Sequence, residues 1–506
     1  MSPPSARPAP TGRLKRKAQK GLLLLGQLLQ GDPDGLLRVA AERLIPRLER
    51  FRNHPWADQL RIFLIGLQPG LRSSRASSEA LRRHCELLVP DGWSLPPSQR
   101  RRLERLLASR MLQTGAAMVT CDDWIPSERG WIWRQKPLWD GPFDRAVGIG
   151  EGPVLVRAEL AERMGAVVPG EGSPAWRAAL HELALAAGGH AHVPLPLARA
   201  PASIALPTPD RPEPAKETKT PPDTPLVSVL IPTAGFRLPG AERGQPLLMN
   251  CLQTLVAKSH FRHLEVVVID GGELEPQLIG ELAELVEGSL GRGRWRFLRE
   301  ESPYSYTTRI NRAAKAASGE LLLQLNDDTE LLDGEGVQAL VNALKEPEVG
   351  IAGALLLYPD GRVQHAGTAI DNLAPRHAWA GCNPQDLPWG TLLGCRTFQA
   401  VTAAVCLCRR TLWERLGGLS DSFPINYGDV DFCLRARELG FRTVLAPRSR
   451  WIHYESISRG VEVPPELPLF ARRWGNKLGG NFSVDPYCSP WRQLLAKPPV
   501  EKKEWC

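Results

Sequence analysis

The feature that most constrains the fold is a set of three apolar runs in the second half of the chain. Residues 226–231 read LVSVLI, residues 265–269 read EVVVI and residues 321–325 read LLLQL. Stretches with helical character lie between them, at 246–258 and 308–317. This alternation predicts an α/β domain with an open, mostly parallel sheet. Ligands of such sheets bind beyond the carboxyl ends of the strands.

A change of composition divides the chain into two halves. Residues 201–225 are rich in Pro and Thr and cannot bury a core, which predicts a linker. At 506 residues the chain also exceeds the size that a single hydrophobic core supports. We therefore expect one domain over 21–200, a catalytic domain over 226–462 and a C-terminal extension over 463–506.

The net charge of +8 is concentrated at the N-terminus. Residues 1–20 contain six Lys or Arg and no acid, which predicts a basic, disordered arm. The nearly neutral remainder disfavours a nucleic-acid partner, whereas the arm favours peripheral contact with an anionic membrane surface. No apolar run reaches the roughly 20 residues of a membrane span, and no secretory signal is recognisable. We therefore expect a cytoplasmic protein.

Two adjacent acids follow the third apolar run directly. Asp327 and Asp328 repel each other at the mouth of a buried strand unless a cation is present. Magnesium prefers one or two carboxylates together with substrate phosphates, so the pair indicates a metal–diphosphate site. The alternative is a polar loop in which Asp328 or Thr329 caps a helix.

Four further polar residues are candidates for the same site. Asp270 ends the second run before two glycines, where it could contact a nucleotide base or form a common turn. Asp429 and Asp431 lie at the start of a helical pattern, where anions are favoured and one acid could act as a base. His453 follows a later apolar segment and is either structural or a ligand of metal or phosphate.

Taken together, these segments resemble the inverting family 2 glycosyltransferases with the GT-A fold, in particular the O-antigen and rhamnosyltransferase branch. The resemblance covers about residues 226–490. Its motifs occur in the expected order: SVLIPT at 228–233, NDDTE at 326–330, YPDGRVQHAG at 358–367, GDVDFCLR at 428–435 and HYESISRG at 453–460.

The resemblance implies a role for each matching residue. Asp429 would be the catalytic base and Asp431 would support it. Asp328 and His453 would bind or flank a Mg²⁺ or Mn²⁺ ion at the donor diphosphate. The donor nucleotide would contact Thr233, Asp270 and Asp327, and weaker candidates for the acceptor or diphosphate region are Gln364, His365 and Arg459.

The implied enzyme is a metal-dependent inverting hexosyl- or rhamnosyltransferase of cell-surface polysaccharide synthesis. It would transfer sugar from a nucleotide-sugar donor to a glycan or a lipid-linked acceptor. One departure is Ala403, in a segment where the family often has Gly, and it could narrow the acceptor pocket. The alternative function is a noncatalytic glycan-binding or scaffold protein with glycosyltransferase-like domains.

The first half of the chain resembles part of the second. Residues 154–165 match residues 406–417 at a constant offset of 252 positions, which indicates an internal repeat. Arg177 and Ala179 then stand at the positions of Asp429 and Asp431, and Gly92 stands at that of Asp328. We therefore predict a shortened, degenerate GT-A-like domain without catalysis. The alternative is a chance likeness between two strand–helix units.

Overall fold

The computed structural model describes residues 80–89, 92–95, 100–127, 130–134, 136, 152–164, 190–200, 224–238, 244–371, 374–387, 391–454, 465–475 and 477–478. The predicted basic arm, the linker up to residue 223, Arg177, Ala179 and Arg459 lie outside these ranges. Contacts group the chain into two compact units, one mainly before and one mainly after residue 202.

The N-terminal unit is a small α/β unit. Its elements are β1 (Cys85–Leu88), α1 (Arg100–Thr114), β2 (Met118–Ser127), β3 (Gly130–Arg134), β4 (Val154–Arg157), α2 (Ala158–Met164) and β5 (His190–Arg199). In the part of this unit that is described, five strands form a sheet in the order β1-β4-β2-β3, with β5 also paired to β2. Helix α1 packs on β2 and β5 through Leu103, Leu107 and Met111, whose spacing of four residues places them on one buried face.

The C-terminal unit contains the predicted alternation of strands and helices. Its first half consists of β6 (Val227–Thr233), α3 (Leu247–Lys258), β7 (Leu264–Asp270), α4 (Pro276–Leu290), β8 (Trp295–Arg299), α5 (Tyr306–Ala316) and β9 (Leu321–Leu325). The next part consists of β10 (Thr329–Leu331), α6 (Gly336–Ala343), β11 (Val349–Leu357), β12 (Val363–His365), β13 (Thr368–Asp371), β14 (Ala374–His377) and β15 (Arg396–Phe398). The last part consists of β16 (Val405–Arg409), α7 (Arg410–Leu416), α8 (Gly428–Glu438), β17 (Arg442–His453) and α9 (Leu467–Trp474).

The sheet of this unit is mixed but mostly parallel. Over the described ranges it has ten strands in the order β10-β17-β11-β16-β9-β6-β7-β8, with β12 paired to β11 and β15 to β17. Strands β8, β7, β6 and β9 are parallel, and so are β11 and β17. Strand β16 runs antiparallel between β9 and β11. The predicted α/β class with a mostly parallel sheet is confirmed.

Strand register brings the chemically interesting residues to one edge of this sheet. Thr233 pairs with Asp270 at the carboxyl ends of β6 and β7. Strand β9 lies on the other side of β6, so Asp327 and Asp328 emerge next to Thr233. Strand β10 then turns back along β17 and pairs Thr329 with His453. The edge predicted to bind ligands therefore collects side chains that are far apart in the sequence.

Helix α9 belongs to the core of the C-terminal unit, although its residues lie in the segment predicted as an extension. Phe470 and Trp474 are buried in the apolar cluster that also contains Phe423 and Phe432. The ring of Phe470 stacks on Tyr427 at a centroid distance of 4.8 Å. Across the described ranges, none of the helices is both long and apolar enough to cross a bilayer.

The two units share one pattern of strand pairing. Strand β4 lies antiparallel between β1 and β2 just as β16 lies antiparallel between β9 and β11. Strand β5 runs parallel to β2 as β17 runs parallel to β11, and both pairs slip register at the same point, after Cys121 in one and after Ala354 in the other. This correspondence supports the predicted repeat, and it relates the N-terminal unit to the part of the C-terminal unit that begins at β9.

Candidate active site

Asp327 is held at the junction of β6 and β9. The Thr233 hydroxyl donates a hydrogen bond of 2.6 Å to Asp327 Oδ2, which joins two residues that were predicted to bind the donor nucleotide. Burial, followed by the negative charge of Asp328, raises the pKa of the Asp327 carboxyl to about 7. The two neighbouring carboxyls therefore resist ionising together, and a positive charge beside them would relieve that repulsion.

Asp328 and His453 face each other across the pairing of β10 with β17. The distance from Asp328 Oδ1 to His453 Nε2 is 3.2 Å, and both side chains are largely buried. The Tyr454 amide also donates a hydrogen bond of 3.0 Å to the Asp328 carbonyl. The sequence predicted a shared role for these two residues, and the fold brings them together.

The chemistry of this pair fits a divalent cation that is also bound by phosphate. No group of three or more His, Cys, Asp or Glu side chains within the described ranges is arranged to hold a metal ion by itself. Magnesium commonly takes only one or two protein carboxylates and completes its shell with substrate phosphates and water. Asp328 and His453 could supply the protein's share of such a shell.

Asp429 begins α8 and is oriented by two backbone amides. Val430 N donates to Asp429 Oδ1 at 2.8 Å and Ala403 N donates to Asp429 Oδ2 at 3.1 Å. Tyr427, the residue before α8, has a left-handed conformation with φ of 65°, which sets the direction in which the chain enters the helix. The Asp429 carboxylate is only partly buried, so it can still reach a ligand.

Asp431 has entirely different surroundings. Its carboxylate is fully buried. It accepts hydrogen bonds from Arg435 Nε at 2.7 Å and Trp474 Nε1 at 3.0 Å, and Arg473 Nε lies 3.2 Å away. Asp431 therefore ties α8 to α9, and this agrees with a supporting role rather than with proton transfer.

Asp270 lies at the expected edge but already accepts several hydrogen bonds. Its two oxygens accept from the amides of Glu273 at 3.1 Å and Leu274 at 3.4 Å, and Arg299 Nη2 lies 3.6 Å from Oδ2. The carboxylate is fully buried. A nucleotide base would have to share these acceptor atoms through their remaining lone pairs. The nucleotide contact stays a prediction, while the turn that was its alternative is present.

Sequence reasoning missed Arg309, which lies at the same edge. Its Nη1 atom donates a hydrogen bond of 2.6 Å to the Thr233 carbonyl, and its guanidinium lies 4.6 Å from the centre of the Tyr304 ring. A Cβ atom on Gly271 would come within 2.1 Å of Arg309 Nη2, so a side chain there would have to displace the guanidinium group. Arg309 occupies the buried face of α5. The sequence signal that could have revealed Arg309 is a basic residue on the apolar face of the helix predicted at 308–317.

Gln364 and His365 are fully buried on β12. His365 Nε2 accepts a hydrogen bond of 3.3 Å from the Thr402 amide, and the His365 ring meets His377 edge-on at 4.6 Å. Neither polar atom of the Gln364 side chain has a hydrogen-bond partner among the described residues. Burial lowers the pKa of His365 well below its usual value, so the ring is neutral. Contact of these residues with the acceptor or diphosphate stays a prediction.

Comparison with known proteins relates part of the C-terminal unit to one family. Residues 240–379 match the family model described as Glycosyl transferase family 2. The O-antigen biosynthesis protein RfbC of Myxococcus xanthus is 33% identical over 282 residues, which cover 54% of this chain and 21% of RfbC. The chain thus spans about a fifth of the length of that relative.

Two further similarities extend the comparison. The N-acetylglucosaminyl-diphospho-decaprenol L-rhamnosyltransferase of Mycobacterium tuberculosis is 24% identical over 231 residues, which cover 40% of this chain and 70% of that enzyme. The mannosyltransferase PcManGT from Pyrobaculum calidifontis, solved with GDP-Man and Mn²⁺, is 17% identical with a TM-score of 0.35, covering 54% of this chain and 73% of that one. That score is too low for residue roles to be transferred. Residues 240–379 of the C-terminal unit thus match glycosyl transferase family 2, the family that the motifs predicted.

Proposed function

We propose that the C-terminal unit transfers a sugar from a nucleotide-sugar donor to a hydroxyl of a glycan or lipid-linked acceptor, with inversion of the anomeric carbon. The observation that carries the proposal is the arrangement of Asp328, His453 and Asp429 around loop 401–404 of a family 2 domain. Asn326, next to the acid pair, donates its amide to the Ala404 carbonyl at 2.9 Å, and the Ala403 amide contacts Asp429.

In this proposal the donor nucleotide lies along the carboxyl ends of β6, β7 and β9. Thr233, Asp270 and Asp327 line that edge, and Arg309 adds a buried positive charge beside it. Such a charge favours the diphosphate of the donor and lowers the cost of bringing it close to the acid pair. The names of RfbC and of the rhamnosyltransferase support a role in cell-surface polysaccharide synthesis and a hexosyl or rhamnosyl donor.

We also propose that Asp328 and His453 hold Mg²⁺ or Mn²⁺. When bound, such a cation supplies the positive charge that stabilises a departing nucleoside diphosphate. The fold positions the two proposed ligands in advance. The strand pairing of Thr329 with His453 sets the distance between Asp328 and His453. The hydroxyl of Thr233 orients the neighbouring Asp327.

Asp429 is the proposed general base. A sugar hydroxyl is a weak nucleophile, and a positioned carboxylate removes its proton as the oxygen attacks the anomeric carbon. The two amides that contact Asp429 orient its carboxylate and favour its charged form. Attack from the face opposite to the leaving diphosphate inverts the anomeric configuration.

The test is Asp429→Asn, which keeps the size of the side chain. Because general-base catalysis contributes about 10²- to 10⁴-fold, single-turnover transfer should fall by roughly that factor while donor affinity stays nearly normal. The wild-type donor is first identified by mass spectrometry with a panel of UDP-, GDP- and dTDP-sugars. Asp421→Asn, a change at an exposed aspartate before α8, is the matched control. Near-normal turnover of Asp429→Asn would contradict the proposal and favour a noncatalytic glycan-binding protein.

Contact with a membrane is a separate proposal. The six basic residues within 1–20 would attract the protein to the anionic cytoplasmic face of a membrane, where a lipid-linked acceptor is located. Co-sedimentation with vesicles that contain anionic lipid should decrease with added salt. It should also be lost when the six residues are replaced by Gln, and equal binding to neutral vesicles would contradict this proposal.

A further inference from the structure

Loop 401–404 connects the two halves of the proposed active site through its backbone. On the side of the acid pair, the Ala404 carbonyl accepts a hydrogen bond from the Asn326 amide. On the side of the base, the Ala403 amide donates to Asp429 Oδ2. The Ala403 carbonyl accepts from the Tyr306 hydroxyl at 3.3 Å. The position of this loop therefore fixes the direction of the Asp429 carboxylate.

His365 contacts loop 401–404 through a hydrogen bond. Its Nε2 atom accepts the Thr402 amide at 3.3 Å, and Thr402 directly precedes the residue that contacts Asp429. Because Nε2 accepts a hydrogen bond, the proton of the neutral ring is on Nδ1. The His365 side chain is fully buried, so replacing it removes an acceptor that lies inside the fold.

We infer that His365 is a positioning residue for Asp429, acting through the consecutive amides of Thr402 and Ala403. This inference rests on the proposed function, because it assigns His365 a role only if Asp429 is the base. It also places the effect of His365 on the acceptor side of the reaction rather than on the donor diphosphate. Loss of the hydrogen bond lets the loop shift, and the Ala403 amide then no longer aligns the carboxylate.

The variants follow from the geometry. His365→Gln places an amide oxygen near the position of Nε2 and keeps an acceptor for Thr402, whereas His365→Leu fills the space without one. We expect His365→Leu to lower single-turnover transfer about tenfold at saturating donor and acceptor, since misplacement of a catalytic group by a fraction of an ångström has costs of this order. His365→Gln should recover most of that loss. The affinity of both variants for the nucleoside diphosphate should change less than about twofold, because neither variant alters a residue proposed to bind the donor.

The decisive measurement is a double-mutant cycle with Asp429→Asn. If His365 acts through Asp429, His365→Leu should cause little further loss of transfer in the Asp429→Asn background. A merely structural role would reduce the rate by the same factor in both backgrounds, and that result would overturn the inference. His260→Gln, at an exposed histidine that contacts Glu335, is the control for loss of an imidazole.

Two outcomes separate failure of this inference from failure of the proposed function. Normal turnover in Asp429→Asn overturns the proposed base and, with it, the role of His365. A large loss in Asp429→Asn combined with equal rates for His365→Gln and His365→Leu overturns the role of His365 alone. If His365→Leu does not fold, as judged by its thermal unfolding, His365→Asn replaces it. The shorter amide of asparagine does not reach the Thr402 amide, so the comparison with His365→Gln remains.

Discussion

The two units of this chain differ in their polar residues much more than in their framework. When the offsets of the shared pairing pattern are extended without gaps, Gly92 falls at the position of Asp328 and Ala200 at that of His453. The N-terminal unit thus lacks both proposed metal ligands. The N-terminal unit keeps the strand order and register without these metal ligands. Both features depend on main-chain pairing and on burial of apolar side chains rather than on particular acids.

In the sheet interior, the N-terminal unit has polar residues where the C-terminal unit has apolar ones. Asp122 Oδ1 and His192 Nε2 form a fully enclosed contact of 2.9 Å, and Thr120 contacts the other ring nitrogen. The matching positions of the C-terminal unit are Leu355 and Leu445, which share one apolar cluster. The N-terminal unit therefore has a polar pair in its core where the C-terminal unit has an apolar pair. This supports the proposal that it is a noncatalytic copy.

The largest effect is expected when the C-terminal site is given the N-terminal residues. Asp328→Gly combined with His453→Ala should reduce transfer by at least about a hundredfold, because the charge that stabilises the leaving group is no longer held. Isothermal titration with Mn²⁺ should show loss of binding that depends on both residues. Thermal unfolding should change little. Normal Mn²⁺ binding by the double variant would contradict this comparison.

The second prediction concerns the buried pair of the N-terminal unit. His192→Leu alone should destabilise the protein by about 3 kcal/mol, since it removes the His192 contact of a buried carboxylate. Adding Asp122→Leu recreates the apolar pair of the C-terminal unit and should recover at least about half of that loss. Urea unfolding of the single and double variants measures both values. Additive losses would show that the two cores are not interchangeable.

The smallest expected effect lies at the end of the sheet opposite the proposed active site. Burial alone would raise the pKa of Glu265, but hydrogen bonds from Ser228, Ser318 and Gly319 and the charge of Arg296 outweigh it and lower the pKa. The stabilisation is therefore present above the unfolded-state pKa of about 4.3 and is lost as pH falls through the lower folded-state pKa. Glu265→Gln should cost roughly 1 to 3 kcal/mol at pH 7 and less in acid.

Urea unfolding between pH 7 and pH 3 measures this dependence. Glu301→Gln, at an exposed glutamate, is the control and should show no such trend. The rate of transfer by Glu265→Gln at pH 7 should equal that of the wild type, since Glu265 belongs to the framework. A loss of stability that grows as the pH falls would contradict the assignment.

Local patterns in the sequence were enough to predict the catalytic framework. The runs at 226–231, 265–269 and 321–325 became β6, β7 and β9, because runs dominated by apolar and β-branched residues favour a strand buried on both faces. The rule that ligands bind at the carboxyl ends of parallel strands selected Asp327 and Asp328, and the family resemblance added Thr233. The structure places Thr233 and Asp327 in contact. These features depend on residues close together in the chain, so periodicity reveals them.

Only the tertiary structure decided how the two acids of α8 differ. Asp429 and Asp431 lie two positions apart, and their spacing alone left the roles exchangeable. Helix α9 supplies Arg473 and Trp474 to Asp431, whereas the loop before β16 supplies an amide to Asp429. The buried Arg309 and the contact of His365 with Thr402 were equally hidden. Each depends on contacts between distant segments, and a side chain's environment is set by what packs against it rather than by its neighbours in sequence.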